Sequence, residues 1–167
     1  MSERRTALIT GASSGFGAEF ARLFARDRFD VVLVARSGPT MRELAEQLQG
    51  SHAITATVIA KDLGAAGACD ELIADLAERD IQIDALVNNA GFAQYGPFVE
   101  ADPDQLDQML SVNVAALTQL TRALLPGMVD RGGDGSSTSA RSVRSRPPRC
   151  PAPMPPRRHT SCRSRWP

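Results

Sequence analysis

The chain has 167 residues, 43% of them apolar, and 19 basic side chains balance 19 acidic ones. That length favours one domain, and the apolar share is sufficient for a hydrophobic core. No run approaches the roughly 18 apolar residues of a membrane span, and the N-terminus lacks a signal-peptide pattern, so we expect a cytoplasmic protein. Cys69, Cys150 and Cys162 lack zinc or redox spacing, and no metal site is expected.

The zero net charge combines two segments of opposite charge. Residues 135–167 contain eight arginines, seven prolines and seven serines, but no acid and no Leu, Ile or Phe. Such a segment cannot bury enough apolar surface to offset the backbone entropy of ordering, roughly 1–2 kcal/mol per residue. We therefore predict a folded body over residues 1–131 and a disordered basic tail over residues 132–167.

The body alternates short apolar runs with segments of helical periodicity. The runs predicted as strands are residues 6–10, 31–35, 53–59 and 84–88. Helices are predicted from Gly15, from Pro39 to Gly50, around residues 69–76 and after Pro103. The apolar positions of the first helix are Phe16, Phe20, Leu23 and Phe24, and those of the last are Leu106, Leu110, Leu117, Leu120 and Leu124.

This alternation predicts an α/β fold. Strands joined by helical crossovers form a parallel sheet with helices on both faces, so we expect a partial Rossmann-type doubly wound sheet of about four strands. The complete fold usually has six strands in the order 3-2-1-4-5-6. The fourth strand should then be an uncovered edge where the fold expects a neighbour.

The turn between the first strand and the first helix is rich in glycine. It reads Thr10-Gly11-Ala12-Ser13-Ser14-Gly15-Phe16-Gly17. Such glycines let the backbone approach a pyrophosphate, which then sits on the amides that begin the following helix. An ordinary glycine-rich turn is the alternative, but the position within a β-α-β unit favours nucleotide binding.

The spacing Gly-x-x-x-Gly-x-Gly resembles that of the short-chain dehydrogenase/reductase family, and three later segments agree. They are Asp62-Leu63, similar to the family's pair beside the adenine, Asn88-Asn89-Ala90-Gly91, and Ser111-Val112-Asn113-Val114, similar to the segment with the catalytic asparagine. The resemblance covers residues 6–131. It implies a dinucleotide site formed by Gly11, Ser13, Ser14, Gly15, Phe16, Gly17, Arg36, Asp62, Leu63, Asn89, Ala90 and Gly91.

Three of these assignments have simpler alternatives. Asn89-Ala90-Gly91 can be turn chemistry, because Asn and Gly tolerate left-handed conformations. Asp62 can be a helix cap or a loop acid. Asn113 interrupts the apolar stripe of the last helix, and a buried amide needs hydrogen-bond partners. In the family the matching asparagine distorts its helix and holds a water of the proton relay, so Asn113 is the one catalytic residue that the resemblance implies.

The residue after the second strand indicates the cofactor. An acid at this position would bind a ribose 2′-hydroxyl, whereas an arginine accommodates a 2′-phosphate. The strand ends Val34-Ala35-Arg36-Ser37. Arg36 therefore predicts NADP rather than NAD, with a solvent-facing arginine as the alternative.

The family's proton donor has no counterpart in the chain. Family members transfer hydride between nicotinamide and an alcohol or carbonyl carbon of a small molecule, using a serine and a Tyr-x-x-x-Lys helix. The only tyrosine here is Tyr95 and the only lysine is Lys61. We therefore expect an NADP-dependent oxidoreductase by ancestry that is inactive as written. The alternatives are an NADP-binding pseudoenzyme and an interaction protein whose basic tail binds nucleic acid. Family members form homo-oligomers, an expectation that is weaker for this truncated domain.

The tail has a second interpretation at the level of its gene. If the DNA is read one base out of register, residues 135–141 permit Ile-Leu-Asn-Val-(Gly/Ser)-Ser, which resembles the family's fifth strand and serine. Pro153-Met154 then permits Tyr, and Arg157-Arg158 permits Lys four positions later. We therefore expect a frameshifted tail, with a genuine disordered tail as the alternative.

Overall fold

The computed structural model describes residues 4–131 and the backbone of residues 137–139. The strands are β1 (Thr6–Thr10), β2 (Asp30–Ala35), β3 (Ala56–Ala60), β4 (Ala85–Asn88) and β5 (Ser137–Ser139). They form one parallel sheet in the order β3-β2-β1-β4-β5. The predicted α/β fold with a Rossmann-type parallel sheet is confirmed, and the order equals the first five positions of the six-stranded form.

The edge of β4 differs from the expectation. Leu86 pairs with Ser137 and Asn88 with Ser139, so the expectation of an uncovered edge is wrong for this stretch. Residues 137–139, which the composition placed in a disordered tail, extend the sheet because strand pairing satisfies backbone groups without apolar side chains. The rest of the predicted tail lies outside the described residues.

Five α-helices accompany the sheet. They are α1 (Gly15–Arg26), α2 (Gly38–Ser51), α3 (Ala68–Glu78), α4 (Pro103–Leu110) and α5 (Leu117–Asp130). A 3₁₀ turn, Phe98–Glu100, precedes α4, and the π-helical segment Ser111–Ala116 joins α4 to α5. Within the described ranges no helix is both long enough and apolar enough to cross a bilayer.

Two apolar clusters cover the two faces of the sheet. Ile9 of β1 packs in the same cluster as Ala21 of α1 and Met41 of α2. The neighbouring Leu8 packs in the opposite cluster, which includes Leu72 of α3 and Leu120 of α5. Because successive strand residues point to opposite faces, one apolar run serves both clusters. This arrangement anchors the strands whose carboxyl ends carry the predicted site.

The fully buried positions of α1 are small residues, although two of the predicted large ones, Phe20 and Phe24, pack half-buried against the core. Gly17, Ala21 and Ala25 are buried, whereas Phe16 is 73% exposed and Leu23 is also exposed. A Cβ on Gly17 would collide with the carbonyl oxygen of Gly11. The helix therefore approaches the turn after β1 closely, and the position of Gly17 has no room for a side chain.

The long C-terminal helical region does not keep one straight apolar stripe. Leu120 is fully buried, whereas Leu110, predicted on the same face, is 54% exposed. The π-helical segment between them holds more residues per turn than an α-helix and rotates the faces relative to each other. The core positions from the end of this segment onward are Ala116, Leu120 and Met128.

Candidate nucleotide-binding site

Thr10, the last residue of β1, organises the carboxyl edge of the sheet. Its hydroxyl donates to the Val87 carbonyl (3.2 Å) and accepts from the backbone N–H groups of Asn89 and Ala90, both at 2.9 Å. Thr10 is buried, so these bonds are shielded from water. One hydroxyl thus fixes the chain after β4 against the start of the glycine-rich turn.

The Asn89 side chain completes this junction. Its Nδ2 donates to the carbonyl oxygens of Thr10 (3.1 Å) and Gly11 (3.2 Å). Gly11 has φ +67°, and a Cβ there would lie 2.8 Å from Asn89 Nδ2 and 2.9 Å from Ala90 Cα. Only glycine fits this position without displacing the backbone after β4. Asn89 therefore has a structural role in addition to its position beside the site.

A cavity of about 300 Å³ opens at this edge. Most of the residues predicted to bind the cofactor line it: Gly11, Ser13, Ser14, Phe16, Arg36, Asp62, Leu63, Asn89, Ala90 and Gly91. Gly15 and Gly17 do not line it; Gly15 begins α1 with φ +56°, and Gly17 packs against Gly11. Residues from four strand ends thus converge on one cavity, as ligand sites of open α/β sheets do.

The side chain of Asn113 lies near this cavity but does not line it. Its Oδ1 accepts from the Phe92 N–H at 3.1 Å, and its Nδ2 donates to the Phe92 carbonyl at 2.8 Å. Asn113 is the third residue of the π-helical segment, a form of helix that is frequent at functional sites. Its amide therefore fixes this segment to the loop that follows Gly91.

Sequence reasoning missed several residues that line the cavity. They are Val34, Ala35, Lys61, Phe92, Gln108 and Val112. Gln108 and Val112 are separated by four residues, and this helical spacing just before Asn113 could have identified them. Phe92 directly follows Gly91, so the loop could have been extended by one residue.

Lys61, between β3 and Asp62, forms a small charged cluster with α3. Its Nζ lies 2.9 Å from Glu71 Oε2 and 3.6 Å from Asp75 Oδ2. The hydrogen bond to Glu71 raises the pKa of the Lys61 ammonium above its ordinary value, although desolvation opposes this, and the charge of Asp75 raises it further. The positive charge of Lys61 is therefore already compensated by protein carboxylates.

The chain is similar to known proteins in both sequence and fold. A family model described as short chain dehydrogenase matches residues 5–148. Oxidoreductase UcpA of Escherichia coli (strain K12) is 37% identical over 128 residues, which cover 76% of this chain and 48% of UcpA. The chain belongs to the short-chain dehydrogenase family.

Solved structures of other short-chain dehydrogenases share this fold. The bulky-bulky ketone specific alcohol dehydrogenase from Comamonas testosteroni superposes with a TM-score of 0.71 and 39% identity, covering 77% of this chain and 51% of that one. The short-chain dehydrogenase from Sphingobium yanoikuyae in complex with NADPH gives 0.72 and 38%, covering 77% and 50%. The chain spans about half the length of the relatives it matches.

Neither the tyrosine nor the lysine of this short-chain dehydrogenase belongs to a Tyr-x-x-x-Lys motif. Tyr95 is 93% exposed in the loop after β4, and Lys61 is paired with α3. Neither can form the proton-donating pair that the resemblance describes. The described residues therefore form a cavity at the carboxyl edge of the sheet without this pair beside it.

A larger cavity, about 950 Å³, lies at the opposite edge of the sheet. Arg4, Asp30, Asp84 and Arg131 are among its lining residues, and ion pairs join Arg4 to Asp30 and Arg131 to Asp84. None of the residues predicted to bind the cofactor lines this cavity. Ligands of doubly wound sheets bind beyond the carboxyl ends of the strands, which is where the smaller cavity lies.

Proposed function

We propose that the folded body of this short-chain dehydrogenase binds NADP(H) in the cavity at the carboxyl edge of the sheet. The observation that carries the proposal is the convergence of the glycine-rich turn, Arg36, Asp62 and Asn89-Ala90-Gly91 on that cavity. Relatives of similar fold support it, because the Sphingobium enzyme was solved with NADPH and a 3-oxoacyl (acyl-carrier-protein) reductase from Agrobacterium tumefaciens with NADP.

The glycine-rich turn fits a pyrophosphate. A Cβ added to Gly15 would meet nothing within 4 Å, so the space beside this positive-φ residue is open to a ligand. The backbone amides at the start of α1 are available for an anion, and the partial positive charge of a helix N-terminus favours it. Arg36 would hold the 2′-phosphate, and Asp62 would lie beside the adenine.

Asp62 has a defined orientation for this role. Its Oδ1 accepts from the Gly64 N–H at 3.0 Å, a local turn that fixes the carboxylate next to Leu63. Asp62 and Leu63 both line the cavity. The proposal assigns the adenine to this wall, because an apolar side chain and a hydrogen-bond acceptor together suit a purine that carries an amino group.

The reaction of the complete enzyme would be hydride transfer between a nicotinamide and an alcohol or carbonyl carbon of a small molecule. The nicotinamide, when bound, supplies or accepts the hydride. Asn113 would act as a positioning residue, because both polar atoms of its side chain already bind Phe92. The chain as written would bind the nucleotide without turnover, since its sequence lacks a Tyr-x-x-x-Lys motif for the proton transfer.

We also propose that the sequence after the body is read out of frame. In the shifted frame, residues 135–141 permit a strand ending in serine, and Pro153-Met154 and Arg157-Arg158 permit Tyr and Lys at the required spacing. Shifting the gene by one base near codons 131–135 should then restore NADPH-dependent carbonyl reduction. A stop codon at the start of the shifted frame, or a gene without these codons, would disprove the frameshift.

Equilibrium titration of the 167-residue chain tests the binding proposal. We expect saturable binding of NADPH that is tighter than binding of NADH, and no NADPH oxidation with a panel of aldehydes and ketones. A folded, monodisperse chain that fails to bind NADPH at millimolar concentration would exclude the nucleotide site. Turnover by this chain would instead show that another group supplies the proton.

A further inference from the structure

Two arginines at one corner of the sheet have no carboxylate partner among the described residues. Elsewhere in the described chain, four arginines form ion pairs: Arg4, Arg22, Arg26 and Arg131. Arg36, directly after β2, and Arg42, in α2, form no ion pair within the same part of the chain, and both are exposed. Two neighbouring uncompensated guanidinium groups create a local positive potential that attracts an anion.

The position of Gly38 locates the Arg42 guanidinium. A Cβ on Gly38 would lie 3.2 Å from Arg42 Nη1 and 3.4 Å from the Cβ of Ala60. Arg42 follows Gly38 by one helical turn, and helical side chains lean toward the N-terminus of their helix. The guanidinium therefore covers the first residue of α2 beside the end of β3, and the missing side chain of Gly38 leaves room for it.

Arg36 starts from the same corner. Ala35 of β2 is paired with Ala60 of β3, and the Lys61 N–H donates to the Ala35 carbonyl at 2.9 Å. Arg36 is thus the next residue beyond that pair and lines the nucleotide cavity. Arg36 therefore lines the cavity from the strand end, whereas Arg42 does not line it; its guanidinium lies over Gly38, next to the end of β3.

The other charged groups near this corner do not pair with these two arginines. Asp62 lines the cavity as well, but its Oδ1 accepts from the Gly64 N–H at 3.0 Å, and it forms no ion pair among the described residues. Lys61 lines the cavity, but its ammonium is paired with Glu71 and Asp75. The first turn of α2 contains no acidic residue. The uncompensated positive charge beside the expected ribose therefore comes from Arg36 and Arg42.

We propose that Arg42 is a second specificity-determining residue, which binds the 2′-phosphate of NADP together with Arg36. The inference rests on the proposed nucleotide site. A phosphate monoester carries close to two negative charges at neutral pH and accepts several charge-assisted hydrogen bonds, so it can use two guanidinium groups at once. The 2′-hydroxyl of NAD carries no charge, so Arg42 contributes little to NAD binding.

The test is equilibrium titration of the full chain and its variants with NADPH and with NADH at low ionic strength. We expect Arg42→Gln to weaken NADPH binding about tenfold or more, to leave NADH binding within about twofold, and to leave the melting temperature unchanged. Arg42→Lys should retain part of the preference, because it keeps the charge but loses the planar fork. The matched control is Arg79→Gln, the same change at an exposed position after α3, which should alter neither affinity.

The outcomes separate this inference from the proposed function. If Arg36→Gln removes the NADPH preference while Arg42→Gln retains it, Arg42 does not bind the phosphate, although the nucleotide site remains. Equal weakening of NADPH and NADH by Arg42→Gln would show a structural effect and would also overturn the inference. If the unmodified chain binds neither nucleotide, or binds both equally, the proposed function fails and the inference with it.

Discussion

The turn after β1 is tightly packed and hydrogen-bonded, whereas the segment that follows β4 exposes apolar side chains. Around Thr10 and Gly11, side chains and backbone are buried or hydrogen-bonded to the end of β4. In the later segment, Tyr95, Phe98 and Val99 are exposed, and in the helical region beyond it Leu110 and Val114 are exposed as well. The carboxyl edge around the glycine-rich turn is thus held by contacts within the described residues, whereas the segment after β4 and the helical region beyond it expose apolar side chains.

This comparison explains what the chain can and cannot do. Binding of a dinucleotide uses backbone turns and strand ends, and those are formed by β1 to β4 and their crossovers. The proposal of a chain without turnover rests on the sequence, which contains no Tyr-x-x-x-Lys motif. Exposed apolar surfaces of this kind also favour association or aggregation. Substitutions at buried or closely packed positions should therefore cost more stability than the same substitutions at exposed or open positions.

The largest difference in stability should be between alanine substitutions at two leucines of the same helical region. Leu120→Ala should lower the free energy of unfolding by about 2–5 kcal/mol, because Leu120 is fully buried against the sheet. Leu110→Ala should change it by less than about 0.5 kcal/mol, because Leu110 is exposed. Urea denaturation measures both. Equal losses would show that the π-helical segment does not shift the buried face.

A second pair compares two glycines of the same turn. Gly11→Ala should cost about 2–4 kcal/mol of unfolding free energy, because its positive φ is combined with close approach to Asn89 and Ala90. Gly15→Ala also has a positive φ but no neighbours, so about 1–2 kcal/mol is expected. If Gly15→Ala proves the more costly change in denaturant unfolding, the close junction at Gly11 is not as described.

A third pair tests the Thr10 junction. Thr10→Val removes the hydroxyl that accepts from Asn89 and Ala90. The Asn89 N–H keeps its bond to the Val87 carbonyl (3.1 Å), so the unsatisfied Ala90 N–H should account for most of a cost of about 1–3 kcal/mol. Thr118→Val is the matched control, since its exposed hydroxyl bonds only to the Val114 carbonyl within the helix. Hydrogen exchange should show faster exchange of the residue 89 and 90 amides in the Thr10 variant alone. Unchanged exchange would contradict the role assigned to Thr10.

Gly38→Ala should raise the free energy of unfolding, whereas the preceding substitutions lower it. Gly38 is in the first turn of α2, and a Cβ there would touch only the flexible end of Arg42 and the Ala60 methyl group. Alanine restricts the unfolded chain and favours helix, so the unfolding free energy should rise by up to about 1 kcal/mol. A loss above 1 kcal/mol would show that Arg42 cannot move aside.

The smallest effect is a pH dependence from Cys69. Burial raises the pKa of the Cys69 thiol above its ordinary 9.0, and the nearby charge of Asp70 raises it further. A folded-state pKa above the unfolded value contributes stability that is complete below pH 9 and is lost as the pH rises through the folded value. Cys69→Ala should therefore reduce the decline of melting temperature between about pH 9 and 10. An identical decline in both proteins would assign it to other groups.

The sequence predicted the strands and the turn at the carboxyl edge well because their signals are local. Thr6–Thr10 followed by three glycines identifies a strand and a close turn by itself, and Arg36 and Asp62 are placed by the strands that precede them. The small-residue face of α1 was missed because a hydrophobicity pattern gives weight to Phe16 and Leu23, not to Ala21. Close packing selects size as well as polarity.

The errors in the later region have non-local causes. A stripe from Leu110 to Leu120 assumes 3.6 residues per turn, and the π-helical segment breaks that assumption. The partner of Asn113 is Phe92, 21 residues earlier, and no spacing rule connects them. The pairing of β5 with β4 uses backbone groups, so the composition of residues 137–139 did not indicate it.

The most direct test of the account is the nucleotide preference of Arg36→Asp compared with that of the unmodified 167-residue chain. We expect the unmodified chain to bind NADPH more tightly than NADH, because only NADPH carries a 2′-phosphate that can form charge-assisted hydrogen bonds with Arg36. Arg36→Asp should reverse the order, because a carboxylate repels the phosphate and accepts from the ribose 2′-hydroxyl of NADH. The same preference in both proteins, or equal affinity of the unmodified chain for both nucleotides, would contradict an NADP site at the carboxyl edge of this sheet.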